Sequence, residues 1–223
     1  MNTRSNPQYT EVAYTNGYEF TEGTGYTLPE YPFVAPPELM EGRVGRHPLV
    51  IVGGGITGLT LACGLAQWGV PAVLLDEDNT VGVKGASSRG ICYTQKSLEI
   101  FQRYGIYERI AAKGVEWSVG RTFAGNDEVF SFDLKAQSSF NLSQQPAFIN
   151  IQQFYIEGYL VERVVELNRQ RQSIDLRWSS RVVAFEQNNS HALLTVQTPE
   201  GKYQIEARYV IDATGSHTPF HGW

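Results

Sequence analysis

Three features of the sequence predict an α/β fold built on a nucleotide-binding βαβ unit. Residues 49–52 are a short uninterrupted apolar run, as expected of a strand buried on both faces of a parallel sheet. A glycine-rich turn at 53–58 follows and opens an apolar segment to Trp68. A second apolar run, 72–75, then ends in Asp76, 23 residues after Gly53. Strand, helix and strand in so short a span make a βαβ unit with a right-handed crossover.

The helix is expected over 57–68. Leu59, Ala62, Cys63 and Ala66 form one stripe and Leu61, Leu65 and Trp68 another, so it is apolar nearly all round and predicted to be buried. Gly69 ends it and Pro71 blocks its continuation. Further on, 97–104 and 107–113 read as short helices separated by Gly105. Residues 121–132 alternate around a turn at Gly125-Asn126-Asp127, which predicts a hairpin outside the nucleotide fold. A longer helix is expected over 152–168, with Ile156, Leu160, Val164 and Leu167 on one face and Glu157, Glu162 and Glu166 largely opposite. Strands follow at 181–185, 192–197 and 203–207, the last two joined by Pro199-Glu200-Gly201, and a final apolar strand, 209–211, leads into Asp212-Ala213-Thr214-Gly215.

Residues 1–47 differ in character. They hold three Lys/Arg against six Asp/Glu, and Tyr, Phe, Gly, Pro and Thr are scattered through them without periodicity. An extended arm is expected there, pinned to a surface where Tyr31-Pro32-Phe33 and Pro36-Pro37 occur, with the body of the fold starting at 48.

The chain is 42% hydrophobic and 18% charged with a net charge of −5, which suits a globular protein and gives no sign of a nucleic-acid or acidic-membrane partner. Residues 48–66 carry no charge, but five glycines interrupt them, and a buried strand and helix explain the run better than a membrane span. Cys63 and Cys92 stand apart from any metal-ligating or disulfide pattern, so no metal is expected and a cytoplasmic location is the default.

Gly53-Gly54-Gly55-Ile56-Thr57-Gly58 fits the dinucleotide fingerprint G-x-G-x-x-G. Gly53 permits the tight turn, Gly55 lets a pyrophosphate approach the backbone, and Gly58 lets the helix pack close to the strand. The helix start presents N–H groups and partial positive charge to phosphates, and Asp76 is placed to accept both ribose hydroxyls of an ADP moiety. NAD and FAD fit this unit equally.

Four ordered blocks go further: RHPLVIVGGGITGLTLACGLAQWGVPAVLLDED, SSRGICYTQKSLEIFQRYG, FINIQQFYIEGYLVERV and ARYVIDATGSHTPF. In these the chain resembles the FAD-dependent, NAD(P)H-using aromatic hydroxylases, a family of flavoprotein monooxygenases, and especially their 3-(3-hydroxyphenyl)propionate hydroxylase-like branch. The resemblance implies a Rossmann-like FAD-binding domain over 48–223, with 115–150 contributing to a β-rich substrate-domain sheet. It implies that Gly53, Gly55, Ile56, Thr57 and Gly58 cradle the FAD pyrophosphate and that Asp76 holds the adenosine ribose. Arg89 would lie along the phosphate and ribityl part, Gln153 would reach the ribityl or pyrophosphate region, with Gln152 as the alternative, and Val182 would offer backbone contacts to adenine. Thr214 and Gly215 would lie near FAD. Many relatives carry an Asp where Thr214 stands, a segment implicated in NAD(P)H use, and Asp212 is too far back to replace it.

The function this implies is FAD- and NAD(P)H-dependent hydroxylation of a small phenolic substrate, the flavin carrying the chemistry. Relatives carry a second FAD motif of Gly-Asp-Ala-x-His type that is absent up to Trp223, so the expectation is a truncated, N-terminal portion. The alternatives are a non-catalytic ADP/FAD-binding fragment and, less favoured, an NAD-dependent dehydrogenase. No side chain is assignable as a catalytic acid or base; His47, His191, His217 and His221 are candidates by type alone and are expected at the surface.

Overall fold

The computed structural model describes residues 12–15, 18–21, 28–82, 90–136 and 143–215 of the chain. Two short strands, β1 (Val12–Thr15) and β2 (Tyr18–Thr21), form an antiparallel hairpin. Helix α1 (Pro37–Glu41) precedes the predicted unit: strand β3 (Gly45–Val52), helix α2 (Ile56–Trp68) and strand β4 (Ala72–Leu75). Strand β3 starts at Gly45, so the body of the fold begins inside the expected arm. As expected, Gly69 closes α2 in the left-handed conformation, its N–H bonded to the Ala66 and Leu65 carbonyls.

After β5 (Cys92–Thr94) come helices α3 (Gln95–Arg103) and α4 (Tyr107–Lys113), strand β6 (Val115–Trp117) and the hairpin β7 (Val119–Ala124)–β8 (Asp127–Asp133). Strand β9 (Phe148–Asn150) pairs with both β5 and β6 in a small antiparallel sheet, while β7 and β8 pair only with each other. The long helix α5 (Gln153–Gln170) leads to β10 (Ile174–Arg177), β11 (Arg181–Gln187), β12 (Ala192–Thr198) and β13 (Gly201–Asp212).

The main sheet runs β10-β4-β3-β13-β12-β11. From β10 to β13 neighbours are parallel, whereas β11–β12–β13 is an antiparallel meander. The two strands expected at 203–207 and 209–211 are one. Its first half pairs with β12, and from Ile205 onward it also runs parallel to β3, so a single strand bridges both halves of the sheet. Strand β10, at the sheet edge, is only four residues long and was not expected from the sequence.

Alternation along β3 sorts the core. Ile51, with Leu74 of β4 and Ile174 of β10, faces α2 and α5. Val50, Val52, Val73 and Leu75 face the opposite way and pack with Leu194, Val196 and Ile205 of the meander and with Leu39 of α1. The expected all-round burial of α2 fails at its end, where Trp68 is 80% exposed. Leu61 and Leu65 of the same stripe stay partly buried against the core, so in this stripe only the terminal residue is exposed. Among the described residues no helix is long and apolar enough to cross a membrane.

A buried charge cluster locks the arm onto this frame. Arg177 at the end of β10 reaches Glu38 of α1 (3.1 Å), Asp175 (2.8 Å) and the Tyr203 hydroxyl (3.3 Å). His47, near the start of β3, completes it 2.7 Å from Glu38, so this histidine is a structural partner away from the carboxyl end of that strand. Against the cost of burial, the His47 hydrogen bond and the Arg177 charge hold the Glu38 carboxyl below the usual range. Tyr31 adds a ring stack on Trp178 at 4.4 Å. Substituting Arg177→Met leaves Glu38 buried without its guanidinium, and the loss expected in urea unfolding is ~3–5 kcal/mol. A loss below ~1 kcal/mol, the range of exposed pairs, would mean that the cluster does not anchor the arm.

Candidate functional site

The site forms where the carboxyl ends of β3, β4 and β13 meet. Strand β3 has β4 on one side and β13 on the other, so the connections diverge and a crevice opens at the strand ends. Two backbone bonds fix the turn: Gly53 N–H donates to the Leu75 carbonyl and Ala213 N–H to the Val52 carbonyl, both at 2.8 Å. The resulting cleft of about 290 Å³ lies at the lower end of the range for small-molecule sites.

The three glycines of the fingerprint have separable reasons. Gly53 sits at φ 108°, and a Cβ there would fall 2.6 Å from the Ala213 carbonyl oxygen. A Cβ on Gly58 would lie 2.0 Å from the Gly53 carbonyl oxygen, so this glycine sets the approach of α2 to the turn. Gly55 is different. Its φ of −77° suits any residue, and among the described residues a Cβ there would meet within 4 Å only a Glu157 oxygen, at 3.8 Å. Among the described residues nothing requires glycine at 55; its open face points into the cleft.

Asp76 ends β4 beneath the turn. One carboxylate oxygen accepts from Gly54 N–H at 2.5 Å and the other from Asp78 N–H at 2.9 Å. Burial pushes its pKa up to about 6, with the Asp78 and Glu77 charges adding to the rise and the two backbone donors opposing it. The turn after β10 brackets it, because Ser180 N–H donates to the Asp76 carbonyl at 2.7 Å. That turn holds Ser179 at φ 53° and brings buried Val182 to the cleft wall.

Of the residues singled out in the sequence, Gly53, Gly55, Ile56, Thr57, Asp76, Gln153, Val182, Thr214 and Gly215 line this one cleft. Gly58 lies beneath it. Gln152 is exposed at the N-cap of α5 and does not line it. Arg89, His217 and His221 lie outside the described residues. The Asp212 carboxylate folds forward onto Thr214, accepting from its hydroxyl at 2.6 Å and its N–H at 3.0 Å. His191 sits in the turn between β11 and β12, bonded to Asn188 and Ser190.

One residue overturns its expected place. Glu157, read as part of the polar face of α5, is 3% exposed and lines the cleft. Its carboxylate accepts from Gln153 Nε2 at 2.6 Å and from the backbone of Ile56 and Gly82. Burial raises its pKa and the Asp76 charge adds to the rise. The helical wheel misplaced it because α5 packs against α2 and the 80–82 segment together, covering more than one stripe. A glutamate one turn after Gln153, amid Tyr155, Ile156 and Leu160, was the available signal.

Fold and site together define a dinucleotide-binding α/β domain. A model of the FAD binding domain matches residues 46–221, and the chain belongs to this family. It is similar to 12-dehydrotetracycline 5-monooxygenase/anhydrotetracycline 6-monooxygenase of Streptomyces rimosus, 28% identical over 170 residues that make up 76% of this chain and 31% of the relative. It is also similar to 3-(3-hydroxy-phenyl)propionate/3-hydroxycinnamic acid hydroxylase 2 of Burkholderia vietnamiensis, 26% identical over 78% of this chain and 30% of the relative. The chain thus spans about a third of the length of such relatives. Among solved structures, p-nitrophenol 4-monooxygenase of Pseudomonas putida superposes with a TM-score of 0.71 at 23% identity, over 80% of this chain and 44% of that one, a likeness of fold.

The glycine geometry gives opposite signs for two substitutions. Gly55→Ala is expected to be neutral or to stabilise by ~0.4–1 kcal/mol, because its backbone is already in an ordinary region. Gly58→Ala is expected to lower the melting temperature, since its Cβ meets a fixed carbonyl. Thermal unfolding of both variants checks this, and equal losses would contradict the assignment of separate roles.

Proposed function

We propose that these residues form the ADP-gripping part of an FAD site in a flavin-dependent monooxygenase. The whole protein would hydroxylate a small aromatic, phenolic substrate at the expense of NAD(P)H. The observation that carries the reading is Gly55: a glycine that the fold does not need, facing a cleft at the start of a helix and across from a ribose-ready carboxylate. The family match and the names of the similar monooxygenases support the flavin and the reaction class.

Gly53, Gly55 and Thr57 would meet the pyrophosphate at the α2 start, and Gly58 would hold that start close to β3. Ile56 would serve through its position in the turn, its N–H being taken by Glu157. Asp76 would receive the adenosine ribose, Val182 would flank adenine, and Gln153, Thr214 and Gly215 would extend along FAD toward the flavin. Bound FAD would supply the electron transfer and the activation of O₂. The exposed Val119, Phe123, Val129 and Phe130 of the β7–β8 hairpin suit a ribbon that continues into a substrate-domain sheet.

The FAD reading has direct tests in calorimetry. Gly55→Val is expected to abolish FAD and ADP binding while the circular dichroism spectrum persists; retained binding would remove the cleft from consideration. Asp76→Ala is expected to weaken FAD by roughly ten- to a hundredfold, the size of a charge-assisted hydrogen bond.

Asp76 also sets a pH dependence. Ribose hydroxyls donate to the ionised carboxylate, so bound FAD favours the charged form, and a free-protein pKa of about 6 means that protons compete below it. FAD affinity should therefore fall as pH drops below about 6, by at most about tenfold per pH unit. Asp76→Asn should flatten that profile. An unchanged profile in the variant would show that another group governs it.

A further inference from the structure

We propose that residues 28–41 form a strap whose docking is linked to occupation of the cleft, with Tyr31 as the positioning residue that carries the linkage to Asp76. The linkage rests on the FAD reading above. Tyr31 does not line the cleft, so it acts through the loops that do.

Two loops build the Asp76 end of the cleft, one following β4 through Gly82 and the other turning from β10 into β11. They are laced together, since Ser179 N–H donates to the Asp78 carbonyl at 2.9 Å and Ser180 N–H to that of Asp76 at 2.7 Å. Tyr31 grips both. Its N–H donates to the Asn79 carbonyl at 2.7 Å, and its ring stacks on Trp178 at 4.4 Å with 15° between the planes. The grip bears on the carboxylate itself, because Asp78, next in the chain to Asn79, donates its N–H to an Asp76 oxygen at 2.9 Å.

The strap is fastened unequally. At one end Glu38 is buried against Arg177 and His47, and parting it from them strands a buried charge. At the other end a neutral hydrogen bond and a ring stack hold Tyr31, and releasing them leaves no buried ion. Arg177 and Trp178, adjacent in the chain, receive the two ends. Tyr31 packs with the core on the α2–α5 face and Leu39 with the core on the opposite face, so the chain between them crosses from one side of the sheet to the other. Pro32, Pro36 and Pro37 stiffen that crossing.

Opening therefore costs least at Tyr31, and it frees the turn before Asn79 and the Trp178 turn together. A nucleotide that uses the Asp76 carboxylate in its bonded position favours the closed strap, and by reciprocity the closed strap favours the nucleotide.

Amide exchange at Tyr31, read by NMR on the full chain, tests the linkage without any substitution. Saturating ADP is expected to slow it by at least about fivefold, while the amides of Ser190 and His191, in an exposed turn outside the cleft, change by less than about twofold. Equal slowing at both places, or none at Tyr31, would overturn the proposal.

Calorimetry supplies the second arm. Tyr31→Ala is expected to weaken ADP and FAD alike by about three- to tenfold, while Val34→Ala, at an exposed point of the strap, leaves both within about twofold. In an Asp76→Ala background Tyr31→Ala should cost FAD less than about twofold, because the carboxylate it positions is gone. A loss of the same size in both backgrounds makes Tyr31 a general brace and overturns the proposal. Should Tyr31→Ala fail to fold, the exchange result on the parent decides alone. Failure of the parent chain to bind either nucleotide would overturn the FAD reading and this inference together, whereas parent binding with unlinked exchange overturns this inference alone.

Discussion

The close approach of the α2 start to the end of β3 governs the rest of the structure. It depends on a contact with no room for a side-chain atom, since a Cβ on Gly58 would sit 2.0 Å from the carbonyl of Gly53. That carbonyl belongs to a residue already committed to a left-handed conformation and hydrogen-bonded to β4. The turn is therefore held from above by the helix, from the side by Leu75 and from behind by Ala213. A rigid turn of this kind costs no further ordering when a ligand arrives. The helix direction, the aim of its free N–H groups and the open face of Gly55 all follow from that contact.

The second organising theme is the placement of carboxylates in poorly solvated positions. Glu38 is matched by Arg177 and His47, and the result is mechanical: an arm segment fastened across one face of the sheet. Asp76 and Glu157 lack a cationic partner among the described residues and are held by N–H donors from backbone and amide groups. Such donors compensate burial only in part, so both groups keep raised pKa values. The contrast separates scaffold from site. Where charge is cancelled the structure is braced, and where it is left partly uncancelled the cleft retains the capacity to respond to a ligand.

The β3–α2–β4 unit was legible because its signals are local: an apolar run, glycines at fixed spacing and an acidic residue at the next strand end. The same holds for the hairpin around Gly125 and for the glycine that closes α2. Strand β10 was not legible, because its place beside β4 depends on a parallel partner a hundred residues away. Nor was the fusion of two expected strands into β13, which arises because one segment pairs with β12 and β3 at once. Trp68 and Glu157 are complementary errors of a helical wheel: the wheel ranks faces by composition, while burial depends on which neighbours exist.

By itself the sequence determined the fold class and the nucleotide turn, because backbone sterics and short-range periodicity act within a few residues. The residues brought to the turn from α5, β11 and the segment after β13 were expected only from the family resemblance. Only the tertiary structure decided that Gly55 is dispensable to the fold while Gly58 is not, that Asp76 is already bonded to the turn it supports, and that Glu157 lies under the cleft. The placements of Asp76 and Glu157 depend on distances between segments remote in the chain, and such distances are set by the packing of whole layers.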